Sequence, residues 1–306
     1  MRLIRSSDWK TEGVNTRGKL PEVSEASLRQ WVAALSVPRH FMAENITNET
    51  IGSWISNHLA QLGYEVQVQG ELRNIVVLPK KRDDVIVVGA HYDSVPQSPG
   101  ADDNASAVAA LLGCAQAFSR LGKDLPVCFV AFNCEEVGQQ GRGYEGSRNF
   151  VETFLPSAGF RVRHAHILEM LGFASDAPGS QRVPTGLPIQ LSDAGNFLGL
   201  LCNQPTGSVL DRILSQARSS SPELPVIGLE VPLGMEKCLP VLARSDHVPF
   251  WEHQIPAIMW TDTAEFRNPN YHKPTDTPDT LNYSFLKRAT ELLISTVAVE
   301  CGALNP

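Results

Sequence analysis

The stretch VIVVGAHYDSVPQSPGADDNASAVAALL, from Val85 to Leu112, constrains the fold of this 306-residue chain more than any other. It begins as an uninterrupted apolar run, typical of a strand buried on both faces, and it ends as an Ala/Leu-rich helix. Between the two lies a loop that contains one histidine, three aspartates and an asparagine. A strand followed by a polar loop and a helix is the unit of an α/β sheet, whose ligands bind beyond the carboxyl ends of the strands.

The same alternation continues along the chain. The apolar runs VCFVAF, AHILEM, VIGLEV and IPAIMW are separated by helical patterns, and Ser24 is the expected N-cap of the helix in SEASLRQWVAAL. Further helices are predicted over residues 103–120, 196–201, 208–218 and 283–301. The expected fold is α/β, with a mixed, mostly parallel central β-sheet flanked by helices on both faces. We expect one catalytic domain over residues 1–306, in which residues 1–44 form a helical extension that packs on it.

Composition excludes several function classes. The chain has 26 Lys and Arg against 33 Asp and Glu, a formal charge of −7, which argues against a nucleic-acid partner. It has no apolar run of the roughly 20 residues that a membrane span needs, so no membrane partner is expected. The segment MRLIRSSDWK lacks the apolar stretch of a secretory signal. The six cysteines of the chain include no CxxC pair. These features predict a cytoplasmic protein with reduced thiols, and they leave the oligomeric state open.

Acidic and imidazole side chains follow four of the predicted strands. They are His91, Asp93, Glu135, Glu136, Glu169, Asp262 and, after a loop, His272. Asp102 begins the helix behind the first of these strands. Because parallel strands end at one edge of a sheet, we expect these side chains to lie close together.

Each of these residues also has an ordinary structural explanation. Asp102 and Asp103 alone suit the N-terminus of a helix, and Glu135 with Glu136 suits a solvated turn. Together, however, they would repel one another by several kcal/mol unless a cation lay among them. Mixed imidazole and carboxylate ligands are typical of zinc. The sequence therefore predicts a zinc site at this edge.

Five short blocks carry a resemblance to a known family. GAHYDS, GADDNASAVAALL, NCEE, EM and YHKPTDT occur in the order found in the M28 metallopeptidases, which are zinc aminopeptidases and their relatives. The resemblance covers roughly residues 45 to 300, and it is specific because all five blocks are present. It implies a zinc-exopeptidase-like fold of the phosphorylase/hydrolase type.

The resemblance also implies a pair of zinc ions. Asp102 would bridge both ions, His91 and Glu169 would complete one site, and Glu136 and His272 would complete the other. Glu169 departs from the family pattern, in which Asp is common at this position. The longer side chain weakens the prediction of a second ion, so two ions are expected and one is possible.

Supporting roles follow from the same resemblance. Glu135 would stay free of metal and act as the general base on a metal-bridging water. Asp93 would hold His91 through its second ring nitrogen, and Asp103 would support the site from behind. The family also implies a cis peptide bond between Asp102 and Asp103.

The predicted function is a zinc-dependent aminopeptidase that removes N-terminal residues from peptides. The alternative is a glutaminyl cyclase-like transferase that forms N-terminal pyroglutamate with one zinc, whose ligands match Asp102, Glu136 and His272. SDHVPFW, which includes Asp246, resembles a block of those cyclases, although Asp246 is expected to have a supporting role. A binding protein that kept the fold and lost catalysis is a third hypothesis. His91 and GADDNAS favour the peptidase.

The sequence constrains the substrate-binding residues less than it constrains the metal ligands. Candidate pocket residues are the aromatic side chains near the predicted edge, namely Phe173, Phe250, Trp251 and Tyr271. Arg142, Tyr144 and Arg148 follow the glutamate pair and are further candidates for binding a substrate carboxylate or carbonyl group.

Overall fold

A computed structural model of the chain describes residues 1–9, 21–121, 124–136 and 143–304. Within these residues nine strands form a single sheet. The strands are β1 (Arg2–Arg5), β2 (Val66–Gln69), β3 (Asn74–Val77), β4 (Val85–His91), β5 (Val127–Phe132), β6 (Val162–Glu169), β7 (Leu198–Asn203), β8 (Val226–Val231) and β9 (Ala257–Thr261). Their order across the sheet is β1-β8-β7-β9-β6-β4-β5-β3-β2.

Helices cover the sheet on both faces. The α-helices in the described part of the chain are α1 (Glu25–Leu35), α2 (Asn45–Gln61), α3 (Ala107–Leu121), α4 (Glu145–Asn149), α5 (Gly207–Ser220), α6 (His247–Glu252) and α7 (Tyr283–Glu300). Wide, π-type turns occur at Ala101–Ser106 and Phe150–Phe154. Short 3-10 turns lie at Ser6–Asp8, Leu155–Ser157, Gln204–Thr206, Met235–Lys237, Pro240–Leu242, Ala264–Phe266 and Pro278–Thr280. None of the described helices is both long enough and apolar enough to cross a membrane.

The centre of the sheet is parallel. β5, β4, β6 and β9 run in the same direction, and β7 pairs in parallel with β8. Antiparallel pairs join β1 to β8, β7 to β9, β3 to β5 and β2 to β3. The predicted mixed α/β sheet is therefore confirmed, but it is not mostly parallel, since its described strand pairs divide into four parallel and four antiparallel ones. The carboxyl ends of its central strands meet at one edge.

Strand β4 shows how the sequence builds the two cores. Every residue of this strand is buried, and alternate side chains point to opposite faces. Ile86 and Val88 belong to the core beneath α1, α3 and α7. Val85 and Val87 belong to a second core, which contains Phe150. His91 has the same parity as this second pair.

Three local predictions differ from the structure. Residues 196–201, predicted as helix, are largely part of β7, because the run Leu198–Asn203 is buried and pairs on both sides. The first 44 residues contain strand β1 as well as α1, so they are not wholly a helical extension. The helix predicted from residue 103 begins at Ala107. The cap of α1 is as predicted, since the Ser24 side chain accepts a hydrogen bond from Ser27 N.

Candidate metal centre

The carboxyl ends of β4, β5 and β6 bring the predicted residues to one edge of the sheet. His91 ends β4 and Glu169 ends β6. His91 Nε2 lies 3.5 Å from Glu169 Oε2 and 4.0 Å from Glu135 Oε2. His272, in the loop after β9, lies with its Nε2 3.4 Å from Glu136 Oε1. Residues far apart in the sequence thus converge on one small volume.

Asp103 lies at the middle of this group. Its Oδ1 is 3.4 Å from His91 Nε2, and its Oδ2 is 3.1 Å from His272 Nε2. Two clusters capable of holding a metal ion therefore share one carboxylate: His91, Asp103 and Glu169 form the first, and Asp103, Glu136 and His272 form the second. A carboxylate shared between two such clusters is the geometry of a two-metal site.

Asp102 does not occupy the bridging position that the sequence analysis assigned to it. Its Oδ1 accepts a hydrogen bond from Gly172 N at 2.8 Å, and its Oδ2 accepts one from Asn268 Nδ2 at 2.6 Å. The backbone departs from helical angles at Asp103 and Asn104, and this turn directs Asp103 rather than Asp102 towards the histidines. The cis peptide bond likewise joins Asp103 to Asn104, one residue later than expected. Both predictions were wrong by one position.

Asp93 connects the first histidine to the glutamate pair. Its Oδ1 lies 3.3 Å from His91 Nδ1. The same carboxylate accepts hydrogen bonds from Glu135 N at 3.1 Å and Glu136 N at 3.2 Å. Cys134, directly before the pair, has a left-handed φ of 58°, which turns the backbone so that both N–H groups face Asp93. The glutamate side chains are thereby held in a fixed relation to His91.

Burial governs the protonation of this edge. It raises the pKa of Glu135 well above the usual range of a carboxyl group, and it raises that of Glu136 to about 7. Burial lowers the pKa of His91, but Glu169 and the other carboxylates outweigh it, so that the pKa lies well above its ordinary value. The pKa of His272 is raised to about 10, because Asp103 and Glu136 outweigh the effect of burial. The protein thus gathers more negative charge here than its own cations neutralise.

Two buried atoms show that the residues fit a cation. His91 Nε2 and Glu136 Oε1 are inaccessible to solvent and make no hydrogen bond with any described residue. Leaving such atoms unsatisfied is costly unless another partner binds them. Imidazole nitrogen and carboxylate oxygen are ligands that zinc takes, and each cluster supplies one histidine and two carboxylates.

The structure adds supporting residues that the sequence analysis did not assign. Asp276 accepts hydrogen bonds from the backbone N–H groups of Asp102 and Asp103, at 3.0 and 3.1 Å. It lies in the block YHKPTDT, so the motif itself contained the signal. Ser245 donates a hydrogen bond to Glu169 Oε2. The next residue, Asp246, is fully buried, and burial raises its pKa to about 7.

An apolar cavity opens beside the first cluster. It holds about 930 Å³ of empty space, including its open mouth, and it runs along the sheet face from Glu169 across β9, β7 and β8 to β1. Its apolar walls include Leu201, Ile227 and Met259, whereas Arg244 lies among its polar lining residues. A concave apolar surface next to convergent polar groups is the usual form of a substrate pocket.

One of the four predicted pocket residues lines this cavity. Tyr271 does so, and its ring stacks on that of His272 with centroids 3.7 Å apart. Phe250 and Trp251 are buried in the second core instead, because α6 directs them towards the sheet. Phe173 is absent from the lining, and its N–H donates to Asp262 Oδ2. None of these three residues lines the cavity.

The residues proposed to bind substrate after the glutamate pair have other partners or cannot be placed. The Arg148 guanidinium forms an ion pair with Glu252 at 2.6 Å and lies over the Tyr144 ring. Arg142 lies outside the described residues. The structure therefore gives no substrate role to Arg148.

Comparison with known proteins places these residues in a family. The sequence pattern of the family described as Peptidase family M28 matches residues 74–191 and 234–297. An uncharacterized protein of Escherichia coli K12, YfbL, is 33% identical over 296 residues, which is 90% of this chain and 87% of that one.

Two solved structures share the fold. A zinc aminopeptidase from Bacillus subtilis is 27% identical, with a TM-score of 0.53, and the match covers 76% of this chain and 50% of that one. A glutaminyl cyclase from Bacteroides thetaiotaomicron is 16% identical, with a TM-score of 0.68, and covers 91% of this chain and 99% of that one. At that level of identity, the second likeness concerns the fold alone.

Proposed function

Because this chain belongs to peptidase family M28, we propose that it is a zinc-dependent aminopeptidase that hydrolyses the N-terminal residue from peptides. The observation that carries the proposal is the pair of clusters that share Asp103, with Glu135 beside them but in neither. Two-metal hydrolases need such an arrangement, since a carboxylate that binds no metal is free to move a proton.

The geometry supports one set of ligands. His91, Asp103 and Glu169 would hold one ion, and Asp103, Glu136 and His272 would hold the other. When bound, zinc supplies Lewis acidity that polarises the scissile carbonyl group and makes water a better nucleophile. The likeness to a zinc aminopeptidase supports this choice of metal.

Glu135 is the residue that moves the proton. Its carboxylate accepts a proton from the attacking water and returns it to the leaving amine, which is general base and then general acid catalysis. Its backbone N–H is bonded to Asp93, and its carboxylate lies 4.0 Å from His91 Nε2. The base is therefore held beside the first cluster.

The cavity next to Glu169 would receive the side chain of the first substrate residue. Its apolar lining favours a large apolar side chain, because burying such a group gives about 25 cal/mol per Å² of apolar surface. We therefore propose that peptides beginning with Leu or Phe are cleaved faster than those beginning with Ala.

The test replaces Glu135 with Gln in the full chain. Peptide hydrolysis is expected to fall by about 10²- to 10⁴-fold, while the zinc content stays at the wild-type value. The control is Glu252→Gln, because Glu252 is a half-exposed surface partner of Arg148. Full activity in the Glu135→Gln variant would contradict the mechanism.

A second candidate is a glutaminyl cyclase-like transferase. It is favoured by Asp246, whose buried carboxylate oxygens make no hydrogen bond with the described residues, and by the shared fold. Incubation with a peptide that begins with Gln separates the two by mass. Loss of ammonia identifies the cyclase, and loss of the first residue identifies the peptidase.

A further inference from the structure

Arg39 lies in the N-terminal segment, outside every motif block, and is fully buried. Its guanidinium donates hydrogen bonds to backbone carbonyl groups. Nε donates to Tyr92 O at 2.6 Å, Nη2 donates to Gly100 O at 2.9 Å, and Nη1 donates to both Pro99 O and Val37 O. Within the described residues, no carboxylate lies within ion-pair distance of it. Its contacts are therefore with the backbone and not with a single acid.

The carbonyl groups that Arg39 binds lie at both ends of the loop that joins His91 to Asp103. Tyr92 follows the histidine directly, whereas Pro99 and Gly100 lie shortly before the aspartate. The backbone N–H of Arg39 also donates to Ser94 Oγ at 3.1 Å, inside the same loop. One side chain thus fixes both ends of the loop.

The packing around this contact leaves no room for adjustment. Gly100 has a left-handed φ of 57°. A Cβ atom there would lie 3.1 Å from Arg39 Nη1 and 2.9 Å from Ser94 Cβ, and it would overlap the carbonyl oxygen of Asp103. Only glycine fits this position without a shift of its neighbours. The position of Arg39 relative to the turn at Ala101–Ser106 is therefore tightly constrained.

The charge of Arg39 also bears on the site. Burial lowers its pKa to about 10, although Asp93 and Asp103 act to raise it. At neutral pH the side chain is thus a buried cation, and its charge interacts with those of Asp93 and Asp103. Lysine would keep this charge but not the planar fork of five donors, which bonds several carbonyl groups at fixed angles.

We propose that Arg39 is a positioning residue for the metal centre. By holding both ends of the loop, it sets the separation of His91 from Asp103, and through it the affinity of the first cluster for zinc. The inference rests on the proposed function only in that it takes zinc as the metal. It extends the site into a segment that none of the motif blocks includes.

The experiment measures zinc affinity of the full chain by competition with a chromophoric chelator, in wild type, Arg39→Lys and Arg39→Gln. Both variants are expected to bind zinc about 10- to 100-fold more weakly, as when other outer partners of ligands are removed. kcat should fall, whereas KM should change little, because the cavity is unaltered. The matched control is Leu59→Ala, a fully buried change in α2, which should lower the unfolding temperature at wild-type zinc affinity.

Wild-type zinc affinity in both Arg39 variants would overturn the proposal, as would a loss no larger than that of Leu59→Ala at equal stability. If neither variant folds, Arg39→Met fills the same space without a buried polar head group, and it must still weaken zinc binding because all the guanidinium bonds to the loop are lost. Unchanged affinity there also overturns the proposal. Zinc affinity is measured without peptide, so a chain that binds zinc as expected but hydrolyses no peptide would contradict the proposed function and leave this inference supported.

Discussion

Two groups of histidines and carboxylates in this protein differ in the partners of their histidine nitrogens. The edge cluster consists of His91, Asp103, Glu136, Glu169 and His272. The helix-end cluster consists of His164 and His166 on β6 and Glu300 at the end of α7. In the helix-end cluster both histidines place Nε2 within 2.9 Å of Glu300 Oε2. By composition alone, either group is a candidate for zinc.

A hydrogen bond from Trp260 distinguishes the helix-end cluster from the edge cluster. Its Nε1 lies 3.1 Å from His166 Nδ1 and can only donate a hydrogen bond, so Nδ1 must be the acceptor. The proton of neutral His166 therefore sits on Nε2, where it is donated to Glu300. A protonated nitrogen cannot bind a metal. His91 Nε2, in contrast, makes no hydrogen bond with any described residue.

The hydrogen-bond partners of the histidine nitrogens, more than the residue types present, distinguish a candidate metal site from a structural cluster in this protein. The helix-end cluster joins α7 to the sheet, and Arg163 strengthens the junction by donating to Glu300 O at 2.7 Å. The atoms of the edge cluster, in contrast, converge on one small volume with excess negative charge. Three measurements test this distinction.

The largest effect is expected from isosteric substitutions of two adjacent residues, Asp103 in the edge cluster and Asp102 beside it. Asp103→Asn should lower the zinc content of the chain and reduce peptide hydrolysis by orders of magnitude, since both clusters lose their shared carboxylate. Asp102→Asn should retain zinc and lose about 1–3 kcal/mol of stability, because its bonds to Gly172 and Asn268 are structural. Elemental analysis and denaturant unfolding give both values. The reverse pattern would restore Asp102 as the bridge.

A smaller effect is expected in the helix-end cluster. Glu300→Gln should lower the free energy of unfolding by about 1–3 kcal/mol, because one of the two histidines loses its acceptor. Zinc content and activity should remain at the wild-type values. A fall in bound zinc would show that this group also holds metal, and the contrast with the edge cluster would fail.

The smallest effect concerns pH. Burial lowers the pKa of His164, so the unfolded chain binds a proton near pH 6.5 that the folded chain does not bind until lower pH. The folded pKa of Glu300 also lies below its usual range, since the two histidines outweigh burial. The His164 shift makes stability fall as pH decreases below about 6.5, and the Glu300 shift adds to the fall only below about pH 4.5, the ordinary pKa of a glutamate. The slope of unfolding free energy against pH should therefore be shallower in His164→Gln than in wild type.

Much of the fold and site could be predicted because burial and strand ends leave clear patterns. The apolar runs predicted β4, β5, β6, β8 and β9, and the residues after them predicted the edge cluster. The order of Asp102 and Asp103 could not be predicted, because neighbouring residues of one type differ only in the backbone turn. The prediction of a helix at residues 196–201 was wrong because most of these residues pair with strands β8 and β9, and this pairing outweighs a weak local preference for helix.

Other features depend on contacts between distant parts of the chain. Phe250 and Trp251 are apolar residues on one short helix, and only the docking of α6 decides that they enter the core and not the cavity. The tautomer of His166 depends on Trp260, which is 94 residues away in the sequence. Arg39 has no motif to mark it, since its partners are backbone carbonyl groups, which every residue supplies.

Asp93 has a consequence for redesign of this enzyme. One carboxylate contacts the ring of His91 and both backbone N–H groups of the glutamate pair. A protein engineer who wished to move Glu135 for another reaction would therefore displace His91 as well. The cavity walls on β7, β8 and β9 carry none of these contacts. The architecture therefore leaves the cavity walls open to variation, while Asp93 keeps His91 and the glutamate pair in a fixed relation.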